Sequence, residues 1–221
     1  MHNTEVSTYE FLQDFEGLMM PRMYFGKPFP AEERDGGLIC LEYIGNSRTM
    51  SFHEEHEIGP LKQLAHTLGK IQACSLKKEP TALDLHNDLF KNMVDVWSLE
   101  AINGMFTGLV EFDNSNKTRE LMANIGQLLD KYYGSNLPTT IHHQMGFRPV
   151  LVNGDLHGGN VLIDKKTGDL AAVIDWQCAH LGVGVEDLHQ IILSSLSAQD
   201  RRSTLPQLIE IMYDSLVENL D

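Results

Sequence analysis

Apolar residues in the first fifteen positions recur at helical spacing. Val6, Tyr9, Phe11, Leu12 and Phe15 share a face, Glu5 and Glu10 lie off it, and the pattern predicts a helix over residues 3–15. Pro21, Gly26, Pro28 and Pro30 break it. The run GLICLEYI, residues 37–44, reads as a short buried strand, and PFPAEERDGG before it as a hairpin loop. Leu61, Leu64, Ala65, Leu68, Ile71 and Leu76 line one face of a further helix within residues 57–76, with the acidic HEEHE at 53–57 as its solvated start. Helical patterns continue through residues 84–132, interrupted near Asn103–Gly104 and Asp113–Lys117. The period then changes. PVLV, NVLI and LAAVID read as strands, the last two joined by the turn DKKTGD. After Trp176 helical spacing returns over residues 186–196 and 203–220. Helices therefore surround a small group of strands without strict alternation, which predicts an α+β fold rather than a doubly wound sheet.

Composition narrows the function classes. Seventeen Lys and Arg against 31 Asp and Glu leave a net charge of −14. A general nucleic-acid binder needs basic residues to replace phosphate counterions, so that class is excluded. Nucleotide binding is not, because it rests on backbone N–H groups and a metal held by carboxylates. No apolar run approaches the roughly 18 residues of a spanning helix, so no membrane span is expected. The N-terminus lacks the basic and apolar regions of a secretory signal. Cys40, Cys74 and Cys178 form no CxxC pair, and reduced thiols in a cytoplasmic protein are expected.

The chemistry gathers in VLVNGDLHGGNVLID, residues 150–164. Asp155 follows a strand, where its carboxylate can project from a rigid edge. Asn160 comes after two glycines that let the loop turn tightly, and Asp175 closes the next hairpin. Two carboxylates and an amide oxygen are hard donors suited to Mg²⁺. Phosphoryl transfer calls for this set: one carboxylate to orient a hydroxyl, an Asn and an Asp to hold metal on phosphates. Protein kinases carry these residue types in the same order. Turn chemistry alone explains the joint spacing less well. His157 reads as a loop-structuring residue. His142 and His143, taken as neighbours on one strand, point apart, and no HExxH occurs, which argues against a zinc hydrolase. Trp97 and Trp176 read as core. Asp187 reads as a helix cap or a brace for the loop.

The segments NGDLHGGNVLI and AVIDWQ closely resemble the catalytic loop and metal-binding segment of the aminoglycoside phosphotransferase and choline kinase-like superfamily. IDWQCAHLGVGVEDLHQII is most similar to the ecdysteroid-kinase-like, or CHK kinase-like, branch. Upstream, GGLICLEYI resembles the hinge strand that meets adenine, and HNTEVSTYEFL the helix whose Glu pairs with the nucleotide lysine. The resemblance implies a protein-kinase-like fold, with a partial N-lobe over residues 1–46 and a mostly helical C-lobe over 47–221. It implies Asp155 as the catalytic base, Asn160 and Asp175 as Mg²⁺ ligands, Glu5 as the helix Glu, and the backbone of Glu42, Tyr43 and Ile44 facing the adenine of ATP. The acceptor it implies is a small-molecule alcohol, steroid-like, choline-like or aminoglycoside-like, with the branch favouring the steroid-like class.

Three departures qualify that picture. Asn153 stands where the family usually has His. No Gly-rich loop or strand lysine precedes Glu5, and the chain ends soon after the metal segment. The expectation is a chain short at both ends, with an exposed N-lobe sheet edge capable of self-association. The alternative function is a catalytically impaired kinase-fold fragment or pseudoenzyme with a regulatory or binding role.

Overall fold

The helix set by Val6, Tyr9 and Leu12 forms as α1 (His2–Leu12) and buries those side chains with Phe11. The computed structural model describes residues 1–30, 36–50, 57–78, 85, 98–133 and 137–220. The chain divides into two units, one of Met1–His86 with Arg148–Asp221, the other of Asn87–Phe147.

In the first unit, β1 (Met23–Lys27) pairs antiparallel with β2 (Leu38–Leu41). The strand GLICLEYI thus forms over its middle residues. Its partner MYFGK is a strand that the sequence pattern hides, because Gly26 and Pro28 read there as breakers. The glycine is required by packing: a Cβ at Gly26 would lie 2.7 Å from Val6 Cγ1. The middle of the intervening loop lies outside the described residues, as do residues 53–56 of the acidic HEEHE. β3 (Ser47–Thr49) joins β5 (Val161–Asp164) and β6 (Leu170–Val173) in a sheet ordered β3-β5-β6, and β4 (Val150–Val152) pairs with β7 (His180–Gly182). All these pairings are antiparallel.

α2 (Ile58–Lys77) buries the apolar face predicted for it, including Leu61, Leu64, Ala65, Leu68 and Ile71. α6 (Glu186–Ser195) and α7 (Ala198–Glu218) follow β7; Ser197 caps α7 by accepting from the Asp200 N–H. α2 and α7 meet backbone to backbone. A Cβ on Gly69 would sit 2.2 Å from Met212 O and 2.9 Å from Leu216 N, and Ser215 Oγ donates to His66 O at 2.7 Å. Gly69→Ala tests that contact. Alanine improves intrinsic helix propensity by about 1 kcal/mol. The obstructing atom is main chain and cannot rotate away, so overpacking of about 1–3 kcal/mol prevails. The expected result is a net loss of stability, read as a lower urea midpoint with an unchanged m-value.

The second unit holds α3 (Leu99–Phe112), α4 (Asn116–Tyr132) and α5 (Leu137–Met145). Ser98 and Ser115 cap α3 and α4 by accepting from Ala101 N and Thr118 N. The break expected near Asp113–Lys117 is present. The one expected at Asn103–Gly104 is not: α3 runs through it, since a single exposed glycine costs a helix only about 1 kcal/mol. His142 and His143 lie in α5 rather than on a strand, with ring centroids 4.1 Å apart. Trp97 lies outside the described residues.

Candidate active site

The loop after β4 is built from the buried side outward. Val152 and Asn153 are fully buried at the end of β4. Asp187, in the first turn of α6, accepts the Asn153 N–H at 2.7 Å and the Gly154 N–H at 2.9 Å through its two oxygens. Gly154 has φ +82, and a Cβ there would lie 2.4 Å from Cys178 O, so the turn admits only glycine. Three residues along α6 from Asp187, Gln190 accepts the Leu156 N–H at 2.8 Å, and its amide lies 3.5 Å from Asp155 Oδ1. One helix face thus holds the loop on both sides of Asp155.

Asn153 ties this loop to the segment after β6. Its Nδ2 donates to Asp175 O at 2.8 Å while its Oδ1 accepts the Asp155 N–H at 3.1 Å. The helical turn Gly158–Asn160 follows, opened by His157, whose Nδ1 accepts the Gly159 N–H at 3.0 Å. Asn160 is 7% exposed and donates to Asp155 O at 2.9 Å; its own backbone oxygen accepts the Ile174 N–H at 3.0 Å. Asp175 has φ +61, a left-handed residue that ends the strand read in LAAVID and turns the chain. Asp155, Asn160 and Asp175 are therefore stitched into one locality.

Electrostatics agree with that proximity. Burial raises the Asp155 carboxyl above its ordinary range, with Asp175 pushing the same way and His157, at 3.9 Å, pulling back. Burial also raises Glu5, again helped by Asp175 and opposed by the Trp176 N–H and by His2. α1 thus brings Glu5 to the same carboxylate group. One turn on, Tyr9 is fully buried, its hydroxyl has no hydrogen-bond partner among the described residues, and burial, Glu5 and Asp175 together raise its phenol. The Cys178 thiol is pushed up to about 11 by burial, Asp155 and Asp175.

The hinge residues are placed differently. Glu42 N donates to Arg22 O at 2.7 Å, and Glu42 Oε2 accepts the Arg22 N–H at 3.2 Å. Tyr43 is 90% exposed, and Ile44 O accepts from Ser47 Oγ at 2.7 Å. The segment leads into β3, whose successor Met50 bonds Val161 O at 3.0 Å, directly after Asn160. Among the described residues no hydrogen bond joins Glu42, Tyr43 or Ile44 to the Asp155 group. Glu42 instead borders a cavity of about 610 Å³ whose walls include Leu12, Phe15, Leu18 and Arg22 and none of Asp155, Asn160 or Asp175.

Among the described residues, no three or more His, Cys, Asp and Glu are grouped to hold a metal. The oxygen set here is two carboxylates and one amide. Asn160 spends its NH₂ on Asp155 O, which leaves its amide oxygen for a cation. Sequence reasoning missed Gln190, Tyr9 and His180. Gln190 three residues after Asp187, and Tyr9 four after Glu5, are spacings that put each pair on one helix face.

A family model described as "Uncharacterized oxidoreductase dhs-27" matches residues 1–221. An uncharacterized kinase-like protein of Caenorhabditis elegans is 24% identical over 207 residues, covering 90% of this chain and 52% of that protein. The chain thus spans about half the length of that curated relative. Among solved structures, the aminoglycoside phosphotransferase APH(3'')-Id of Streptomyces rimosus, in complex with ADP and streptomycin, is similar with a TM-score of 0.60 at 18% identity, over 98% of this chain and 79% of that one. The choline kinase LicA of Streptococcus pneumoniae is similar with a TM-score of 0.54 at 18% identity, over 99% and 70%. The fold is that of the protein-kinase-like phosphotransferases.

Proposed function

The chain belongs to the family described as "Uncharacterized oxidoreductase dhs-27", whose model matches residues 1–221, and on this premise we propose that it carries the core of an ATP-dependent phosphotransferase, which moves the γ-phosphoryl of ATP to a small-molecule hydroxyl. One observation carries the reading: backbone and amide bonds through Asn153 and Asn160 fix Asp155 beside Asp175. Asp155, raised by burial, accepts the acceptor's hydroxyl proton and orients its oxygen. Asn160 and Asp175 would hold Mg²⁺, and the donor chemistry fits: one free amide oxygen and one carboxylate on a fixed backbone. When bound, Mg²⁺ neutralises phosphate charge. Glu5, on α1, orients the nucleotide-binding side, and the Glu42–Ile44 backbone meets adenine. The motif IDWQCAHLGVGVEDLHQII favours a steroid-like alcohol as acceptor, and the free cysteines suit a cytoplasmic protein. Among the described residues no helix is long and apolar enough to cross a membrane.

The word oxidoreductase in the family's description has a different structural requirement. Nicotinamide sites are commonly built on parallel βαβ units with a glycine fingerprint, and the described strand pairs here are antiparallel. A second reading, nucleotide binding without transfer, draws on Glu5: burial raises its carboxyl, Asp175 adds to the rise, and the Trp176 N–H and His2 oppose it. Calorimetric titration with ATP, with and without Mg²⁺, tests the proposal. Binding that requires Mg²⁺ is expected. Failure to bind in either condition overturns it, and NADH binding in its place would restore the oxidoreductase reading.

A further inference from the structure

The loop that carries Asp155 packs against a contact between His180 and Glu186 that the proposed function leaves unused. His180, on β7, is 3% exposed. Its Nδ1 lies 3.0 Å from the Cys178 carbonyl oxygen, and its Nε2 lies 3.2 Å from Glu186 Oε1. A carbonyl oxygen only accepts, so Nδ1 carries a hydrogen. A neutral ring would then turn a bare Nε2 lone pair toward a carboxylate, whereas a ring protonated at both nitrogens makes the contact attractive, an imidazolium beside a carboxylate.

The backbone is shaped around this pair. A Cβ on Gly154 would fall 2.7 Å from His180 Nδ1, and one on Gly182 would fall 2.7 Å from Glu186 Oε2 and 3.0 Å from His180 Nε2. The register pairs His180 with Val152, two residues before Gly154. Among the described residues, the charged groups facing the ring are Glu186 and Asp187, both from α6. β4 and its loop offer Val152 and Gly154, which carry no charge. On the ring's own segment the Cys178 thiol stays neutral. Asp187 is the residue that accepts the Asn153 and Gly154 amides.

We propose that His180 is a positioning residue for Asp155: its imidazolium, clamped between the Cys178 carbonyl and Glu186, offsets the acidic groups beside it, so that Asp187 holds the Asn153 and Gly154 amides, and that hold loosens when the ring loses its proton. This rests on the reading of Asp155 as the reacting group. Burial alone lowers the imidazole pKa, but Glu186, the Cys178 carbonyl and Asp187 outweigh it and raise the ring above its ordinary value. A raised histidine is charged on the acid side and gives up its proton as pH climbs past its folded value, so the loop loosens on the alkaline side.

Nitrogen NMR of the labelled chain tests the pair directly. Both His180 ring nitrogens should be protonated at the ordinary imidazole midpoint, about pH 6.5. The Asn153 and Gly154 amide signals should move with the same, higher midpoint as the ring. Glu186→Gln should lower that midpoint by about one pH unit or more. His180→Gln should speed amide exchange at Gly154 by about tenfold or more and leave it with only the intrinsic, base-catalysed pH dependence. If His180→Gln does not fold, the parent titration and Glu186→Gln decide alone. A ring already neutral at about pH 6.5, or amides that ignore its titration, overturns the proposal. Titration of Mg²⁺–ATP on the same sample keeps the two readings apart. A coupled titration without nucleotide binding refutes the phosphotransferase reading and leaves the pair standing. Nucleotide binding without the coupling refutes only the role of His180.

Discussion

Asp155→Asn is expected to cut phosphotransfer by about 10²-fold or more while leaving Mg²⁺–ATP binding unchanged. Asp175→Asn is expected to weaken Mg²⁺–ATP binding sharply. The geometry makes this a clean pair. The bond from Asn160 Nδ2 goes to the Asp155 backbone oxygen, and Asn153 Oδ1 receives the Asp155 backbone N–H, so both survive the substitution. Among the described residues the side chain itself has only long polar contacts, Gln190 at 3.5 Å and His157 at 3.9 Å. Asparagine at position 155 therefore keeps the loop and removes the proton acceptor. Asp175 sits at φ +61, and asparagine is the residue that best tolerates that region after glycine. Among the described residues its carboxylate has one weak hydrogen bond, from Gln177 at 3.4 Å, so the variant loses charge rather than fold. Turnover with a small alcohol and calorimetry with Mg²⁺–ATP read the two effects. If both variants keep full turnover and parent-like binding, the roles given to Asp155 and Asp175 are wrong, and the kinase-fold pseudoenzyme becomes the better account.

The sequence made the chemistry more legible than the scaffold beneath it. Asp155, Asn160 and Asp175 stand out because strand ends, glycines and polar donors recur there at a fixed spacing, and the structure brings them together through short backbone bonds. The α2 face was equally plain, since its apolar side chains repeat at helical period and are buried. MYFGK was not, because Gly26 reads as a breaker until Val6 is seen pressed against it. The α3 break at Gly104 was overread for a related reason: a propensity term near 1 kcal/mol yields to a helix capped by Ser98. His180 had no local signal. Its importance comes from Glu186, Gly154 and Gly182, which no periodicity connects to it. Asn153 looked like a departure from a histidine pattern. In the fold it makes the two bonds that join the loop to the segment of Asp175.

Asp187→Ala is expected to destabilise the chain by about 1–3 kcal/mol at neutral pH, and by more in mild acid. Asp187 is 1% exposed and is the acceptor for one buried and one part-buried N–H group. Alanine leaves both without partners, at a cost of about 1–3 kcal/mol each. Against that, the variant no longer carries an ionised carboxylate in the interior. Burial pushes the Asp187 carboxyl up to about 6, despite the two N–H donors and His180 that pull it down. The sign follows from proton binding. Between the ordinary carboxylate range and about 6, the folded chain holds a proton that the unfolded chain has released, so the stability due to this group falls as pH rises through that window. The parent should therefore lead the alanine variant by a wider margin at about pH 5 than at about pH 7. Urea denaturation at both values measures it. The helix cap alone predicts a different result: a carboxylate serving only the α6 dipole is worth about 0.3–1 kcal/mol and weakens in acid. A margin that narrows on acidification would make Asp187 a cap of α6, and the loop would need another anchor.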